Sequence, residues 1–253
     1  MGGQFRYVYP DGEALAQAAA TEVMRIALSS VSARGIFTLA LAGGSTPKKL
    51  YSLLANDPAY RQFPWKSTHL FFGDERHVAP THLDSNYLMI QSTLLSSGLV
   101  PSSHLHRVHA ELPDAEQAAV DYEVELHMFF NDPAMRLNGF PRFDLILLGM
   151  GPDGHTASLF PGSKGLEEKE RWVISNWVEK FKSNRITFTF PVLNSAHEVY
   201  LLVAGADKAD MLKEVFVQRS QEHAYPVQSV EPIDGNKVWM LDTAAAERLP
   251  QTH

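Results

Sequence analysis

The sequence predicts an α/β protein, a three-layer α/β/α sandwich on a mostly parallel sheet. Three observations carry this: short apolar runs bounded by glycines, helical segments alternating with them, and no linker, repeat or low-complexity segment dividing the chain. With 253 residues, 45% hydrophobic and 20% charged, the composition is that of an enzyme-sized globular protein, read as one domain over residues 1–253.

A first helix is expected from Asp11 to Arg34, where Leu15, Ala19, Val23, Ile26, Ala27 and Val31 recur at three- and four-residue steps, Asp11 can cap the start and Gly35 ends the run. Ile36 to Ala42 follows as a strand buried on both faces, and Pro47 to Ala55 as a helix. Thr68 to Phe72 reads as a strand, Ser85 to Ser97 and Asp114 to Phe130 as helices, and Phe143 to Leu148 as another buried strand. Val173 to Asn176, Arg185 to Phe190, Glu198 to Ala204 and Lys237 to Leu241 add strands, with a helix from Ala206 to Gln218 between the last two. Gly149 to Gly165 and Glu179 to Asn184 read as loops within the domain. Ligands of such sheets sit beyond the carboxyl ends of the strands, so segments directly after strands are the candidate site.

The balance of 22 Lys and Arg against 29 Asp and Glu gives a net charge of −7 with no basic arm, which argues against a nucleic-acid partner. Zero cysteines exclude disulfides, thiolate metal sites and cysteine nucleophiles, leaving oxygen, imidazole or activated water for hydrolytic chemistry. The segment Met1 to Tyr7 lacks the pattern of a secretory signal, and no apolar stretch approaches the roughly 18 residues of a membrane span. A cytoplasmic location without a membrane partner is expected, as monomer or homodimer.

Three strand-end segments carry candidate chemistry. In Gly43-Gly44-Ser45-Thr46-Pro47, two glycines leave a strand and a hydroxyl pair precedes a proline at a helix start, where backbone N–H groups and the helix dipole can hold a phosphate; an ordinary capped turn fits the same residues. In Gly73-Asp74-Glu75-Arg76-His77, Arg76 is suited to a phosphate and Asp74 or Glu75 to orienting a water, a hydroxyl or that arginine; a solvated loop with a surface ion pair is the competing reading.

The third segment, Phe143 to Gly162, holds two decoys. Gly149, Gly151 and Gly154 match a dinucleotide fingerprint, but Pro161-Gly162 would cut short the helix that fingerprint needs. A P-loop match fails because His155 stands where the lysine belongs. What remains is a histidine on a glycine-rich loop, two positions after Asp153, placed for general acid–base work near neutral pH or else bonding its own tight turn. His104, His106 and His109 lack a carboxylate at metal-ligand spacing, and no G-x-S-x-G elbow exists, so neither a metal site nor a serine triad is expected.

Taken together, LALAGGSTPKKLY, FFGDER and FDLILLGMGPDGHTASLFPGS, with Ser85-Asn86-Tyr87 and Arg185 to Asn194, resemble the 6-phosphogluconolactonases, relatives of the glucosamine-6-phosphate deaminases. The resemblance implies a modified Rossmann-like fold and hydrolysis of 6-phospho-D-glucono-1,5-lactone in the oxidative pentose phosphate pathway, without cofactor or metal. It implies His155 as the base activating water, Gly43, Gly44, Ser45 and Thr46 as the phosphate cradle, and Arg76 and Arg185 as its counter-charges, with Asp153 and Asp74 as supporting catalytic carboxylates. The deaminases carry a Phe-Asn-Glu-Pro type sequence after the shared Gly-Asp-Gly-His loop; here Ala157-Ser158-Leu159-Phe160-Pro161 has no such glutamate, which favours lactone hydrolysis. Glu179 to Asn184 departs from the family in lacking its proline-rich character. An amino-sugar-phosphate deaminase or isomerase and a non-catalytic sugar-phosphate sensor are the competing readings.

Overall fold

A computed structural model of the chain describes residues 2–217 and 225–250. Helix α1 (Gly12–Arg34) starts at Asp11, whose carboxylate accepts from the N–H groups of Glu13 and Ala14, and stops at Gly35, which adopts a left-handed φ of 77°. Its buried residues, among them Leu15, Ala19, Val23 and Ile26, form the expected stripe.

Around it stands a sheet of seven strands in the order β1-β12-β11-β8-β2-β3-β5. These are β1 (Gln4–Tyr9), β2 (Phe37–Leu41), β3 (Thr68–Phe72), β5 (Leu105–His106), β8 (Leu145–Leu148), β11 (Glu198–Val203) and β12 (Asn236–Asp242), and every pairing is parallel. The central strands β2 and β8 are buried at every position. The remaining helices are α2 (Ser45–Asn56), α3 (Asn86–Thr93), α4 (Ala115–Phe129), α5 (Phe190–Ser195), α6 (Ala209–Val217) and α7 (Thr243–Ala246). With α1 they flank the sheet and make the expected three-layer, Rossmann-like sandwich.

The segments read as Val173–Asn176 and Arg185–Phe190 do not extend that sheet. As β9 (Val173–Val178) and β10 (Ser183–Phe188) they form a separate antiparallel sheet with β4 (Asp74–Arg76), in the order β4-β10-β9. Asp74 to Arg76, read as loop, is therefore a strand, and Ser183 and Asn184 belong to β10. A two-stranded ribbon, β6 (Arg136–Leu137) with β7 (Phe140–Pro141), completes the strands.

Other boundaries move for local reasons. Strand β1 is an edge strand with mostly exposed side chains, so it lacks the apolar signature of the buried strands. Helix α2 begins at Ser45, two residues before the expected Pro47, with Gly44 as its cap at φ 108°. The helix expected over Ser85–Ser97 ends at Thr93 and continues as a 3-10 turn, Leu95–Ser97; the hydroxyls of Ser92 and Thr93 bond back to the carbonyl of Met89. Ala206–Lys208 is a 3-10 turn ahead of α6, and Gln218, the expected end of that helix, lies outside the described residues.

Two buried tyrosines fix the strand exits where the site is built. Tyr51 of α2 donates its hydroxyl to the carbonyl of Ala42 and accepts from its N–H, both at 2.9 Å. Tyr122 of α4 accepts from the Phe72 N–H at 2.8 Å and donates to the carbonyls of Phe72 and His106. Each hydroxyl satisfies backbone groups that parting strands would leave unpaired. Among the described residues no helix is long and apolar enough to cross a membrane.

Candidate active site

The carboxyl ends of β2, β3, β8 and β11 open into one cleft of about 310 Å³. Gly43, Gly44, Ser45 and Thr46 line it from the β2 side, Asp74 and Arg76 from β4, and His155 from the loop after β8. No side chain caps the start of α2, so its first N–H groups and the positive end of its dipole face the cleft unmasked. Gly43 is required by close approach: a Cβ there would lie 2.0 Å from Oδ1 of the buried Asn86.

The loop after β8 is a tight, self-bonded structure. Gly151 donates to the carbonyl of His155 at 2.9 Å, Gly154 to that of Gly151 at 3.0 Å, and the Thr156 hydroxyl to that of Gly149 at 2.8 Å. Gly154 needs its positive φ of 75°, and Ala157 is held at φ 46°, an uncommon conformation for a residue with a side chain. A Cβ on Gly151 would strike the His155 ring at 2.0 Å, so glycine here is what lets the imidazole fold over its own loop.

Asp153 bonds Nδ1 of His155 directly, and its other oxygen meets the Lys180 ammonium at 3.3 Å. The opposite face of the loop presents Phe160, whose ring stacks on the imidazole at 3.9 Å and 23°. Carboxylate and ring together fix the histidine's tautomer and direction: Nδ1 carries the proton, and Nε2 has no hydrogen-bond partner among the described residues. Burial, outweighing the pull of Asp153 and Asp74, lowers the His155 pKa below the ordinary histidine value. Burial acts to raise Asp153, but its bonds from His155 and Lys180 hold it below the usual carboxylate range.

On the other wall, the fold uses Glu75 rather than displaying it. Its carboxylate is 2% exposed and accepts the N–H groups of Arg76, Asn86 and Tyr87, each at 2.8 Å, and the Ser85 hydroxyl at 3.2 Å. Burial raises its pKa while those N–H bonds lower it. The acid offered as a possible orienter of water is thus the clamp that seats α3 against β4, with no free lone pair turned to the cleft. Asn86, seated by that clamp, donates to the carbonyl of Asp74 at 2.9 Å. Asp74 in turn accepts the Ser158 hydroxyl at 2.6 Å, which ties β4 to the loop of His155.

Arg76 donates to the carbonyl of Asp84 and lines the cleft. Arg185 stands opposite it in the β4–β10 register, over the ring of Phe181 at 5.2 Å, but is not itself part of the cleft lining. Burial and then Arg76 lower the Arg185 pKa. Three polar cleft residues went unread as site residues: Asn86, Thr156, and Lys208, which follows β11 and pairs with Asp207 at 2.9 Å. Lys208 obeys the same strand-end rule that singled out the others.

Sequence spacing also missed the partner of the histidine group. Glu125 of α4 accepts from His106 at 2.8 Å, His106 lies 3.0 Å from His69, and His104 stacks on His69. These rings stack rather than converge, and among the described residues no group of three or more His, Cys, Asp or Glu is placed to hold a metal ion.

Comparison with known proteins matches residues 10–239 to the family model described as glucosamine-6-phosphate isomerases/6-phosphogluconolactonase. A 6-phosphogluconolactonase of Nostoc sp. is 38% identical over 242 residues, covering 96% of this chain and 97% of the relative. One of Synechocystis sp. is 41% identical over 220 residues, covering 87% and 88%. The solved structure of the 6-phosphogluconolactonase from Trypanosoma cruzi superimposes with a TM-score of 0.87 at 29% identity, covering 99% of each chain.

Proposed function

Because the chain belongs to the glucosamine-6-phosphate isomerase/6-phosphogluconolactonase family, we propose that it hydrolyses 6-phospho-D-glucono-1,5-lactone to 6-phospho-D-gluconate in the oxidative pentose phosphate pathway. The observation that carries this is the Asp153–His155 pair, aimed into a cleft whose far wall is the uncapped start of α2. No carboxylate follows His155 between Thr156 and Gly165, which supports hydrolysis over the deaminase chemistry of the wider family.

In this reading the phosphate lies against the N–H groups at Gly44 to Thr46, in the cleft that Arg76 and Lys208 line, with Arg185 adding positive charge from beside Arg76. Gly43 leaves room for Asn86 to brace that wall. The anchor fixes the lactone carbonyl beside His155. Neutral His155 takes a proton from water at Nε2 as the water oxygen bonds to the carbonyl carbon. The ring C–O bond then breaks, the departing oxygen receives the proton from His155, and the new carboxylic acid ionises in water. Asp153 holds the Nδ1 proton throughout, and Asp74 joins the β4 wall to the catalytic loop. A lactone is an activated ester, so a base and donors to the tetrahedral oxyanion suffice without metal or cofactor. The net charge of −7 is no obstacle, since distant acids are screened over roughly 8–10 Å while the anchors act locally.

Acid release from freshly made lactone in a pH-stat tests the proposal, with the unphosphorylated lactone in parallel. Only the phosphorylated lactone is expected to respond, and His155→Ala to lose roughly 10²–10⁴-fold in turnover with little change in substrate binding. Acceleration of neither lactone overturns the function; wild-type turnover by His155→Ala overturns the base.

A further inference from the structure

The turn between β9 and β10, the segment that departs from its family's composition, reaches the catalytic histidine through one side chain. Glu179–Phe181 is a 3-10 turn closed by Lys182 at a left-handed φ of 48°. It is braced on both flanks: Glu179 accepts the Trp177 indole N–H at 2.8 Å and pairs with Lys182, while Phe181 packs edge-on to Phe160 at 5.8 Å and under Arg185. Between these braces Lys180 is delivered onto Asp153, 3.3 Å from the oxygen that His155 leaves unused.

Building on the lactonase reading, we propose that Lys180 is a positioning residue: its ammonium shares the charge of Asp153 and so keeps His155 in the neutral form that can accept a proton near neutral pH. The charged groups that face His155 are Asp153 from its own loop, Asp74 from β4 and Lys180 from the turn. Both carboxylates favour imidazolium; Lys180 and burial oppose it. Without the lysine, Asp153 would act on the ring with its whole charge. The imidazole would hold its proton to higher pH, and the fraction of active base would fall on the acidic side. The lysine's side chain is 54% exposed, so its effect is that of a partly screened pair, a severalfold change rather than a loss of activity.

The experiment is the pH profile of kcat/KM for wild type, Lys180→Gln, Lys180→Arg and Lys66→Gln, with the titration of the His155 ring followed by NMR in substrate-free protein. Lys180→Gln is expected to move the acidic limb and the ring titration to higher pH together, lowering kcat/KM on that limb about two- to fivefold relative to the plateau. Lys180→Arg restores both, Lys66→Gln, at an exposed lysine outside this turn, leaves both in place, and the difference shrinks in 1 M salt. An unmoved limb with an unmoved ring titration overturns the proposal. So does a uniform loss across all pH, which would make Lys180 a substrate ligand instead. The NMR arm needs no turnover, so a wild type inactive on the lactone would sink the functional reading while this inference is still judged.

Discussion

Replacing Gly151 by alanine separates the chemistry of this site from its folding. The new Cβ would lie 2.0 Å from both Cε1 and Nδ1 of His155, whereas tolerable contact begins near 3.4 Å, so the ring has to retreat by about 1.4 Å. That displacement breaks the alignment of Nδ1 with Asp153 and lifts the ring from Phe160. Misplacing a reacting group by about 1 Å costs on the order of 10²-fold, so kcat is expected to fall by about 10²-fold or more, roughly 2.7 kcal/mol in the barrier. The fold has far less at stake. Gly151 has no positive φ to protect, and the side chain that must yield is half-buried at the rim of a cleft. Tm should drop by no more than about 2–4 °C, the equivalent of about 1 kcal/mol in a chain of this size. Initial-rate kinetics beside thermal unfolding read both quantities, with His155→Ala setting the floor for kcat. A Gly151→Ala variant that turns over like wild type refutes the close approach; one that loses activity only because it melts far earlier refutes the claim that glycine serves the histidine.

Gly43→Ala should behave in the opposite manner, because its Cβ meets the buried Asn86 amide at 2.0 Å and displaces the bond to the Asp74 carbonyl. A cost near 2 kcal/mol and a fall in Tm of about 4–8 °C are expected by calorimetry, and an unchanged Tm would show that the amide is not seated there. Near the amino end of β3, burial first and then His104 and His106 hold the His69 pKa down to about 4. The unfolded chain takes up that proton below about 6.5 and the folded chain does not, so this residue makes stability fall as pH drops from 6.5 to about 4. Urea unfolding at pH 7, 5.5 and 4.5 should show a shallower decline for His69→Asn than for wild type, and parallel declines would refute the assignment.

What was readable in advance follows from what each residue is asked to do. Phe37–Leu41 and Leu145–Leu148 are buried on both faces, so their function as central strands is written in unbroken apolar runs. Gln4–Tyr9 lies at an edge with mostly exposed side chains and carries no such signature. Asp74–Arg76 is a strand of three charged residues held by pairing with β10, a partner more than a hundred residues away that no local pattern announces. The cleft lining was legible where it obeys the strand-end rule, at Gly43 to Thr46, Asp74, Arg76 and His155, and Lys208 could have been found by the same rule. The burial of Glu75 was not legible: a carboxylate between two charged cleft residues reads as solvated, and only the folded chain reveals its four donors. Arg185 was picked by resemblance alone, since its place beside Arg76 exists only once the second sheet forms.

That adjacency has a consequence for how the protein is handled. Arg76 and Arg185 are like charges directly opposite on paired strands, with Asp74, Asp84 and Glu75 acting against that repulsion. With the phosphate placed as proposed, a small dianion such as inorganic phosphate or sulfate should stabilise this pair. On that reading, a melting curve recorded in phosphate buffer should lie above one recorded in an amine buffer. Variants at either arginine should shift that difference, so their stabilities are to be compared with wild type at a matched anion concentration.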